Sequence, residues 1–357
     1  MQKQVKALGK KIIGPTRLRA YRNKGIKGLL GLNDKKLRVG FIGCGTHALQ
    51  NLYPALRYLD VELKAVCAKT ESSAKRVGGL FGVRWYIDYH ALLDKEEIDA
   101  VLVAVNGDMH ASICQAAMEA GCHVFVEKPP ARTLKEIKQL QETSKRTNKQ
   151  LMVGFQKRFA PTYQKVKEHL DTESLGTPTL LRMQFIVGPQ ADDQDVLDSI
   201  GIHHIDLAQY FFGPIKNIKV ENYSYNGQET YALLLRFENN ALGTIHISSH
   251  QTWNQPNERV EVYGEKHSMI VDNMINLTLR KLTKERPGIP SLTNETRWQP
   301  NFSIPSDENQ TLFLNGFVYE LRHFIESILT SKPCTSNIND SHSTYQWIEY
   351  IQNNKRD

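Results

Sequence analysis

The chain has 357 residues, of which 40% are apolar and 23% are charged, and its formal net charge is +7. This composition is typical of a globular protein and excludes a disordered or fibrous chain, while the length favours two domains. The longest apolar run, residues 100–105, is far shorter than the roughly 20 residues of a membrane-spanning helix, so we expect a soluble protein.

Residues 1–36 form a basic arm with eleven Lys or Arg against the single acid Asp34. The arm could contact an anionic membrane surface or extend over a neighbouring subunit, and we favour the second interpretation. Tyr21 is its only aromatic residue, so no nucleic-acid partner is expected. No apolar segment suited to a secretory signal follows the charges, and the five cysteines lack paired spacing. We therefore expect a cytoplasmic protein with reduced thiols.

Strands and helices alternate from residue 37 onward, which is the pattern of a parallel sheet. The predicted strands are short and continuously apolar, as in a sheet that is covered on both faces. They lie at 37–43, 61–67, 100–105, 123–126 and 151–153, and the predicted helices at 47–59, 72–81, 109–120 and 134–147. Residues 37–157 are thus predicted to form a dinucleotide-binding domain of the α/β class with a doubly wound parallel sheet.

A Gly43-x-Gly45-x-x-Ala48 fingerprint follows the first predicted strand and opens a helix. Gly43 permits the tight turn, Gly45 lets the backbone approach a pyrophosphate, and Ala48 allows close packing of helix and strand. The helix amino terminus would then meet the negative charge. Thr46 and His47, which lie between these positions, are included as candidate cofactor contacts.

The end of the second strand favours NADP over NAD. An acid at this place hydrogen-bonds the ribose 2′-hydroxyl of NAD, whereas cations accommodate the 2′-phosphate of NADP. Here the expected acid position is the neutral Ala68, and Lys69, Thr70 and Arg76 follow it as candidate donors. Glu71 keeps NAD open as an alternative, because a longer turn could bring it to the ribose.

Several ordered segments resemble the Gfo/Idh/MocA oxidoreductases over about residues 37–350. Besides the fingerprint they read Glu-Lys-Pro at 127–129, Gly-Phe-Gln-Lys-Arg-Phe-Ala-Pro at 154–161 and Gly-Ile-His-His-Ile-Asp at 201–206. The resemblance implies a Rossmann domain followed, at 158–357, by an α/β domain with a large, mostly antiparallel open sheet for substrate binding. That sheet often serves as an oligomer interface in the family, so a homodimer or homotetramer is expected. Strand-like runs at 179–187, 215–223, 231–237, 242–249 and 259–263 agree with it.

The resemblance also implies which residues carry out hydride transfer. Lys128 would polarise the reacting oxygen, and His203 would act as general acid or base, since an ordinary histidine titrates near neutrality. Glu127, next to Lys128, is expected at the cofactor. Asp206 shares a helical face with His203 and could orient its ring, bind substrate, or simply favour the helix start.

One departure from the family concerns the acid that many members carry four residues before the histidine. That position is Ser199 here, with Asp198 one residue earlier. The remaining predicted substrate contacts come from several segments: Arg158, Tyr163, His204 and Trp253. Asn106 and His110 fall where the family's loop lies beside the nicotinamide, and no metal is predicted, because convergent ligands are missing from the sequence.

Together these features predict an NADP-dependent oxidoreductase that acts on a sugar, nucleotide-sugar or polyol-like substrate. The family leaves two alternatives open. One is a nucleotide-dependent glycoside hydrolase, and the other is a regulator that binds NADP without catalysis. Lys128 and His203 argue against the regulator, because a binding protein has no need of them.

Overall fold

The computed structural model describes residues 36–190, 196–254, 256–282, 293–303 and 306–355. Apart from Lys36, the basic arm lies outside these ranges, and so do the predictions made for it. In the described part of the chain, every helix is too short or too polar to cross a bilayer.

The first half of the chain contains a sheet of six parallel strands. They are β1 (Leu37–Ile42), β2 (Val61–Cys67), β3 (Arg84–Tyr86), β4 (Ala100–Val103), β5 (His123–Glu127) and β6 (Leu151–Gly154). Their order is β3-β2-β1-β4-β5-β6, which confirms the predicted doubly wound Rossmann sheet. The strand order reverses between β1 and β4, so a crevice is expected at the carboxyl ends of these two strands.

The helices of this half follow the predicted ones at three places, but the helix at Tyr89–Lys95 and the strand β3 before it were not predicted, and the first connection differs. They are α1 (Glu71–Phe81), α2 (Tyr89–Lys95), α3 (His110–Glu119) and α4 (Leu134–Thr147), with a 3-10 turn at Gly107–Met109. The predicted helix 47–59 is instead divided into a π-helical turn (Ala48–Leu52), Tyr53–Ala55 and a 3-10 turn (Leu56–Tyr58). Pro54 lies in this region and cannot donate a backbone hydrogen bond, which accounts for the irregularity.

The second half contains an eight-stranded, mostly antiparallel sheet, as expected. The strands are β7 (Pro178–Ile186), β8 (Ile215–Tyr225), β9 (Gln228–Phe237), β10 (Leu242–Ser248), β11 (Asn257–Gly264), β12 (His267–Asp272), β13 (Asn276–Leu282) and β14 (Thr293–Trp298). Their order is β14-β13-β12-β11-β7-β10-β9-β8, and within the described part of this second sheet only the β7 and β10 pairing is parallel. The sequence patterns did not predict β12, β13 and β14.

The helices of the second half cover both sheets. They are α5 (Pro161–Asp171), α6 (Ile202–Phe212), α7 (Phe317–Leu329) and α8 (Ile338–Asn353), with a π-helical turn at Leu197–Gly201, a short helix at Thr311–Leu314 and 3-10 turns at Gln156–Phe159 and Asp307–Asn309. Helix α6 packs on the inner face of the second sheet and against α8.

Helix α7 crosses back to the first sheet. Its residues Phe317, Leu321 and Phe324 join the same buried cluster as Phe41 and Phe125 of the parallel strands. The rings of Phe125 and Phe324 lie 6.0 Å apart. The last third of the chain therefore completes the core beneath the crevice.

Candidate active site

A cleft of about 1100 Å³ opens at the carboxyl ends of β1, β2, β4 and β5. Most of the residues predicted to contact the cofactor line it, and one predicted catalytic residue joins them from α6. These residues are Gly43, Gly45, Thr46, His47, Ala48, Lys69, Thr70, Asn106, Glu127, Lys128 and His203.

The two glycines of the fingerprint have different roles. Gly43 has φ +124°, and a Cβ there would lie 1.9 Å from the carbonyl oxygen of Ala104, so only glycine fits the turn. A Cβ on Gly45 would meet nothing within 4 Å, because this residue faces the open cleft. The first helical hydrogen bond runs from Leu49 N to Gly45 O at 3.0 Å, and the amides before it lack intrahelical acceptors. This cradle fits the pyrophosphate of a dinucleotide.

The end of the cleft next to β2 and β3 contains one cation and one acid. Lys69 lines the cleft directly after β2, and Thr70 caps α1 by accepting a hydrogen bond from Ser73 N at 3.4 Å. Asp88 lines it from the loop after β3, where its carboxylate accepts from His90 N at 3.0 Å. Arg76 is exposed on α1 and is not among the lining residues, but its charge acts on the thiol of Cys44, which lines the cleft.

His47 and Glu127 are hydrogen-bonded across the cleft floor, with 3.1 Å between Nε2 and Oε1. Burial lowers the pKa of His47, but the hydrogen bond and charge of Glu127 outweigh it and raise that pKa above its ordinary value. The pair therefore combines a carboxylate with a histidine that protonates readily, directly beside Lys128.

Lys128 lies at the inner end of the cleft, just after β5, and its side chain is half-buried. Its Nζ donates a hydrogen bond to the backbone oxygen of Ser199 at 2.7 Å. Burial lowers the pKa of Lys128 and nearby Lys157 lowers it further, whereas Glu127 and Asp198 oppose the shift. Ser199 thus contacts the lysine through its backbone oxygen, and Asp198 acts on it through its charge.

His203 lies in the first turn of α6 and is only 7% exposed. Burial lowers its pKa well below the usual range, and the positive charges of Lys128 and Lys157 add to the effect. Its Nδ1 is buried and has no hydrogen-bond partner among the described residues. This differs from the expectation of titration near neutrality, because the surroundings favour the neutral ring and make His203 a weaker base than an ordinary histidine.

A second cavity of about 770 Å³ adjoins the first, and His203 lines both. Its wall is rich in amides and hydroxyls, which include Gln156, Ser199, Asn254, Asn273, Thr311 and Asn315. Trp253 contributes a flat apolar surface, since it is 51% exposed while its Nε1 donates to Pro189 O at 2.8 Å. This cavity can hold a small hydroxylated molecule next to His203.

Arg158 and Asp206 require a correction, because they bind each other rather than substrate or His203. Arg158 donates to Asp206 through Nε at 2.7 Å and through Nη2 at 2.5 Å, and Nη1 donates to Asp340 at 2.9 Å. Both side chains are buried, and neither lines a cavity. Burial raises the pKa of Asp206, although the charge of Arg158 opposes this. The pair fastens α6 to the 3-10 turn after β6.

Tyr163 and His204 also lie behind the cavity wall rather than in it. The Tyr163 hydroxyl donates to Glu258 Oε1 at 2.6 Å, and the His204 ring stacks on Phe185 with centroids 5.1 Å apart. Glu258 also forms a buried ion pair with Lys157, and these two charged residues do line the second cavity. Lys157 stands next to Arg158 in the 154–161 segment, so that motif was the signal that could have identified it.

The two remaining predicted contacts, Asn106 and His110, lie at the loop that follows β4. His110 lines neither cavity; its ring is buried, and Nδ1 lies 2.5 Å from the carbonyl oxygen of Pro129, which follows Lys128. The Asn106 side chain accepts from Asp108 N at 3.4 Å and lines the cleft. Within the described ranges, no group of three or more His, Cys, Asp or Glu residues is arranged to hold a metal ion.

Comparison with known proteins agrees with this architecture. Residues 37–155 match the oxidoreductase family with an NAD-binding Rossmann fold, and residues 163–270 match the GFO/IDH/MocA C-terminal domain. The chain is 26% identical over 326 residues to the uncharacterized oxidoreductase YrbE of Bacillus subtilis, which covers 85% of this chain and 90% of that protein. It is 28% identical over 264 residues to myo-inositol 2-dehydrogenase of Thermotoga maritima, covering 68% and 77% respectively.

Among solved structures, a dehydrogenase from Chromobacterium violaceum superimposes with a TM-score of 0.82 at 22% identity, covering 90% of this chain and 96% of that one. This likeness concerns the fold. Both halves of the chain thus match the two domains of one family in the expected order, and the chain belongs to the Gfo/Idh/MocA oxidoreductases.

Proposed function

We propose that this protein is an NADP-dependent dehydrogenase that moves a hydride between the nicotinamide and a carbinol or carbonyl carbon of a sugar or polyol-like molecule. The observation that carries the proposal is the position of His203, which lines both the cofactor cleft and the second cavity. Lys128 lines the cleft beside it, so two groups that handle an alcohol oxygen and its proton stand where the two spaces meet.

Bound NADP would supply the carbon that exchanges the hydride. The fingerprint loop would hold its pyrophosphate, and Lys69 and Thr70 would receive the 2′-phosphate, in keeping with the neutral residue at Ala68. Asp88 at the same end of the cleft is the residue that opposes this choice, because its carboxylate would repel a phosphate.

His203 suits the role of general base in alcohol oxidation. Its low pKa keeps the ring neutral, so it can take the hydroxyl proton without first releasing one. Lys128, fixed by its hydrogen bond to Ser199, has further ammonium protons that can be donated to the same oxygen. Lys128 thus polarises the oxygen, whereas His203 moves the proton.

The second cavity supports a neutral, hydroxylated ring as substrate. Its one buried cation, Lys157, is already neutralised by Glu258, and amides form much of the remaining polar wall. Trp253 offers a face against which a ring can pack. A relative named for its action on myo-inositol, which is a cyclic polyol, agrees with this class.

We also propose a homodimer or homotetramer formed through the second sheet. On β8, β9 and β10, the exposed Tyr223, Tyr225, Leu234 and Leu242 lie on the face opposite the buried core. A face of this kind is suited to covering by another copy of the chain. Light scattering tests this part, and a monomer at micromolar concentration would contradict it.

The function is tested by a panel of sugars and cyclic polyols assayed through NADPH absorbance, with NADH run in parallel. We expect substrate-dependent reduction of NADP⁺ by at least one compound. Turnover of glycosides by hydrolysis with no net change in free cofactor would favour the glycosidase alternative. The regulator would be favoured by a different result. In that case the protein binds cofactor but turns over no compound, and its Lys128 and His203 variants bind the cofactor equally well.

A further inference from the structure

A buried carboxyl lies behind the candidate active site and takes part in none of the contacts described above. Glu320, in the first turn of α7, is 0% exposed, and both of its carboxyl oxygens lack a hydrogen-bond partner in the described structure. A charge in such a place costs several kcal/mol, so an unpaired buried carboxyl normally exists as the neutral acid. Burial raises the pKa of Glu320 well above its usual range, and the charge of Glu127 raises it further.

Glu320 is fixed in this position by the start of its helix. Gly316 has φ +91°, and a Cβ there would lie 2.2 Å from the carbonyl oxygen of Gln156, so the helix begins in direct contact with the segment after β6. Phe317 packs edge-on against the His47 ring at 5.7 Å. The side chain of Glu320 therefore cannot turn to solvent unless α7 leaves the sheet.

The charged groups around Glu320 decide which of the two neighbouring carboxyls keeps its charge. From β5, Glu127 is hydrogen-bonded to His47 and lies beside Lys128, so it has cationic partners. From the segment at 156–159, Lys157 pairs with Glu258, and Arg158 pairs with Asp206 and Asp340. In the first helical segment, Arg57 lies over the Tyr58 ring.

Each of these cations contacts another group in the described structure, and none of them is paired with Glu320 there. Glu320 lies on α7 between Phe317, which contacts His47, and Phe324, which contacts Phe125 of β5, so it faces the strand that carries Glu127. Two buried carboxyls in this relation cannot both ionise readily, so the charge goes to the partnered one. Of the pair, Glu127 is therefore the carboxylate and Glu320 is the acid.

We propose that Glu320 is a positioning residue, held as a neutral carboxylic acid, which limits the negative charge behind Lys128 to the single carboxylate of Glu127. Its role follows from what ionisation would do. A second negative charge in this place would strengthen the ammonium form of Lys128, disturb the Glu127 and His47 pair, and repel the anionic cofactor from the adjoining cleft. The catalytic part of this role rests on the proposed function, whereas the protonation of Glu320 does not.

The protonation is tested on the protein without cofactor by measuring unfolding between pH 5 and pH 9. An acid with a raised native pKa stabilises the folded state below its unfolded pKa of about 4.3 and loses that contribution as pH rises toward the native pKa. Glu320→Gln removes the ionisable group. As pH rises, the ratio of folded to unfolded protein should therefore increase for this variant relative to wild type, by up to about tenfold per pH unit. Glu326→Gln, at an exposed position of α7, is the matched control and should show no such trend.

A constant difference between Glu320→Gln and wild type across this pH range would overturn the proposal. Should the variant fail to fold, infrared spectroscopy of the wild-type protein decides, because a protonated carboxyl must still absorb at pH ~6, where an ordinary glutamate is ionised. A wild-type spectrum at that pH with no protonated carboxyl band would overturn the proposal independently.

The positioning role is tested by titrating NADPH and NADH binding against pH, with no substrate needed. The titration extends past the pH at which the stability difference between wild type and Glu320→Gln stops growing, because that pH marks the ionisation of Glu320 in the folded protein. Beyond it, wild-type affinity should fall by roughly threefold or more, whereas Glu320→Gln should keep its affinity. Superimposable profiles across that pH would refute the positioning role. A protein that binds cofactor with these profiles but turns over no sugar or polyol would instead count against the proposed function alone.

Discussion

Lys128 and Ser199 join the two halves of the molecule, since Lys128 Nζ at the end of β5 donates to the Ser199 oxygen just before α6 at 2.7 Å. The acceptor is a backbone oxygen four residues before His203. This hydrogen bond therefore ties the Lys128 side chain to the helical segment that leads to His203. A side-chain substitution at Ser199 would leave this bond intact.

Lys128→Met should lower kcat by about a hundredfold or more, because it removes a preorganised donor to the reacting oxygen. NADPH affinity, measured by fluorescence, should change little by comparison. Lys165→Met, at an exposed lysine of α5, serves as the control and should retain wild-type kcat. Equal effects of the two variants would exclude a role for Lys128 in the chemistry.

His203→Gln should lower kcat by about 10²-fold to 10⁴-fold, the range for loss of a general base. In the wild type, a base is active only above its pKa, and the pKa of His203 is lowered from that of a free histidine. The acid limb of kcat/KM for alcohol oxidation should therefore lie well below pH ~6.5. A pH profile measured from 4.5 to 8 checks this, and an acid limb at or above 6.5 would assign the limb to another group.

Lys69→Ala should raise the KM for NADP⁺ about tenfold while leaving that for NAD⁺ nearly unchanged, because only the 2′-phosphate needs the cation. Lys75→Ala provides a matched change at an exposed lysine on α1. Both coenzymes are assayed with the same substrate. If NAD⁺ is preferred and Lys69→Ala affects neither coenzyme, Asp88 rather than Lys69 determines the choice.

Asp206→Asn should destabilise the folded protein by about 3 kcal/mol, since it weakens a buried ion pair and leaves Arg158 short of a partner. Asp340→Asn affects the same arginine but should cost less, because the Asp340 side chain is 38% exposed. Urea denaturation measures both values. A variant of Asp206 with unchanged stability and a raised substrate KM would restore its earlier interpretation as a substrate ligand.

Trp253→Ala should raise the substrate KM about tenfold with a smaller effect on kcat, because it removes a packing surface rather than a proton carrier. Trp298→Ala is the control, since Trp298 is similarly exposed but lines neither cavity. A fall in kcat alone would indicate that Trp253 affects the chemistry instead of binding.

The parallel sheet was predictable because its strands are buried on both faces and read as uninterrupted apolar runs. Strands β13 and β14 were not, since exposed residues such as Arg280, Glu295 and Arg297 give them the composition of a loop. Their structure comes from pairing with neighbouring strands, which local sequence does not record. The divided first helix could have been anticipated from Pro54.

The site was predictable in its backbone positions but less so in its side-chain partners. Lys128 was indicated by its position after a buried strand, and His203 by the family resemblance. These signals could not show that Arg158 pairs with Asp206, 48 residues away, and leaves Lys157 to the cavity. Glu320 carried no motif signal, because an acid in the first turn of a helix is ordinarily a solvated residue.

Helix α7 has a consequence for how the protein is made. The parallel strands are complete by Gly154, yet Phe125 lacks its contact with Phe324 until α7, ending at Leu329, has been synthesised. The core of the nucleotide-binding half therefore cannot be completed until nearly the whole chain has been synthesised. A protein truncated before Phe317 should expose apolar surface and aggregate, rather than fold as a domain that binds nucleotide.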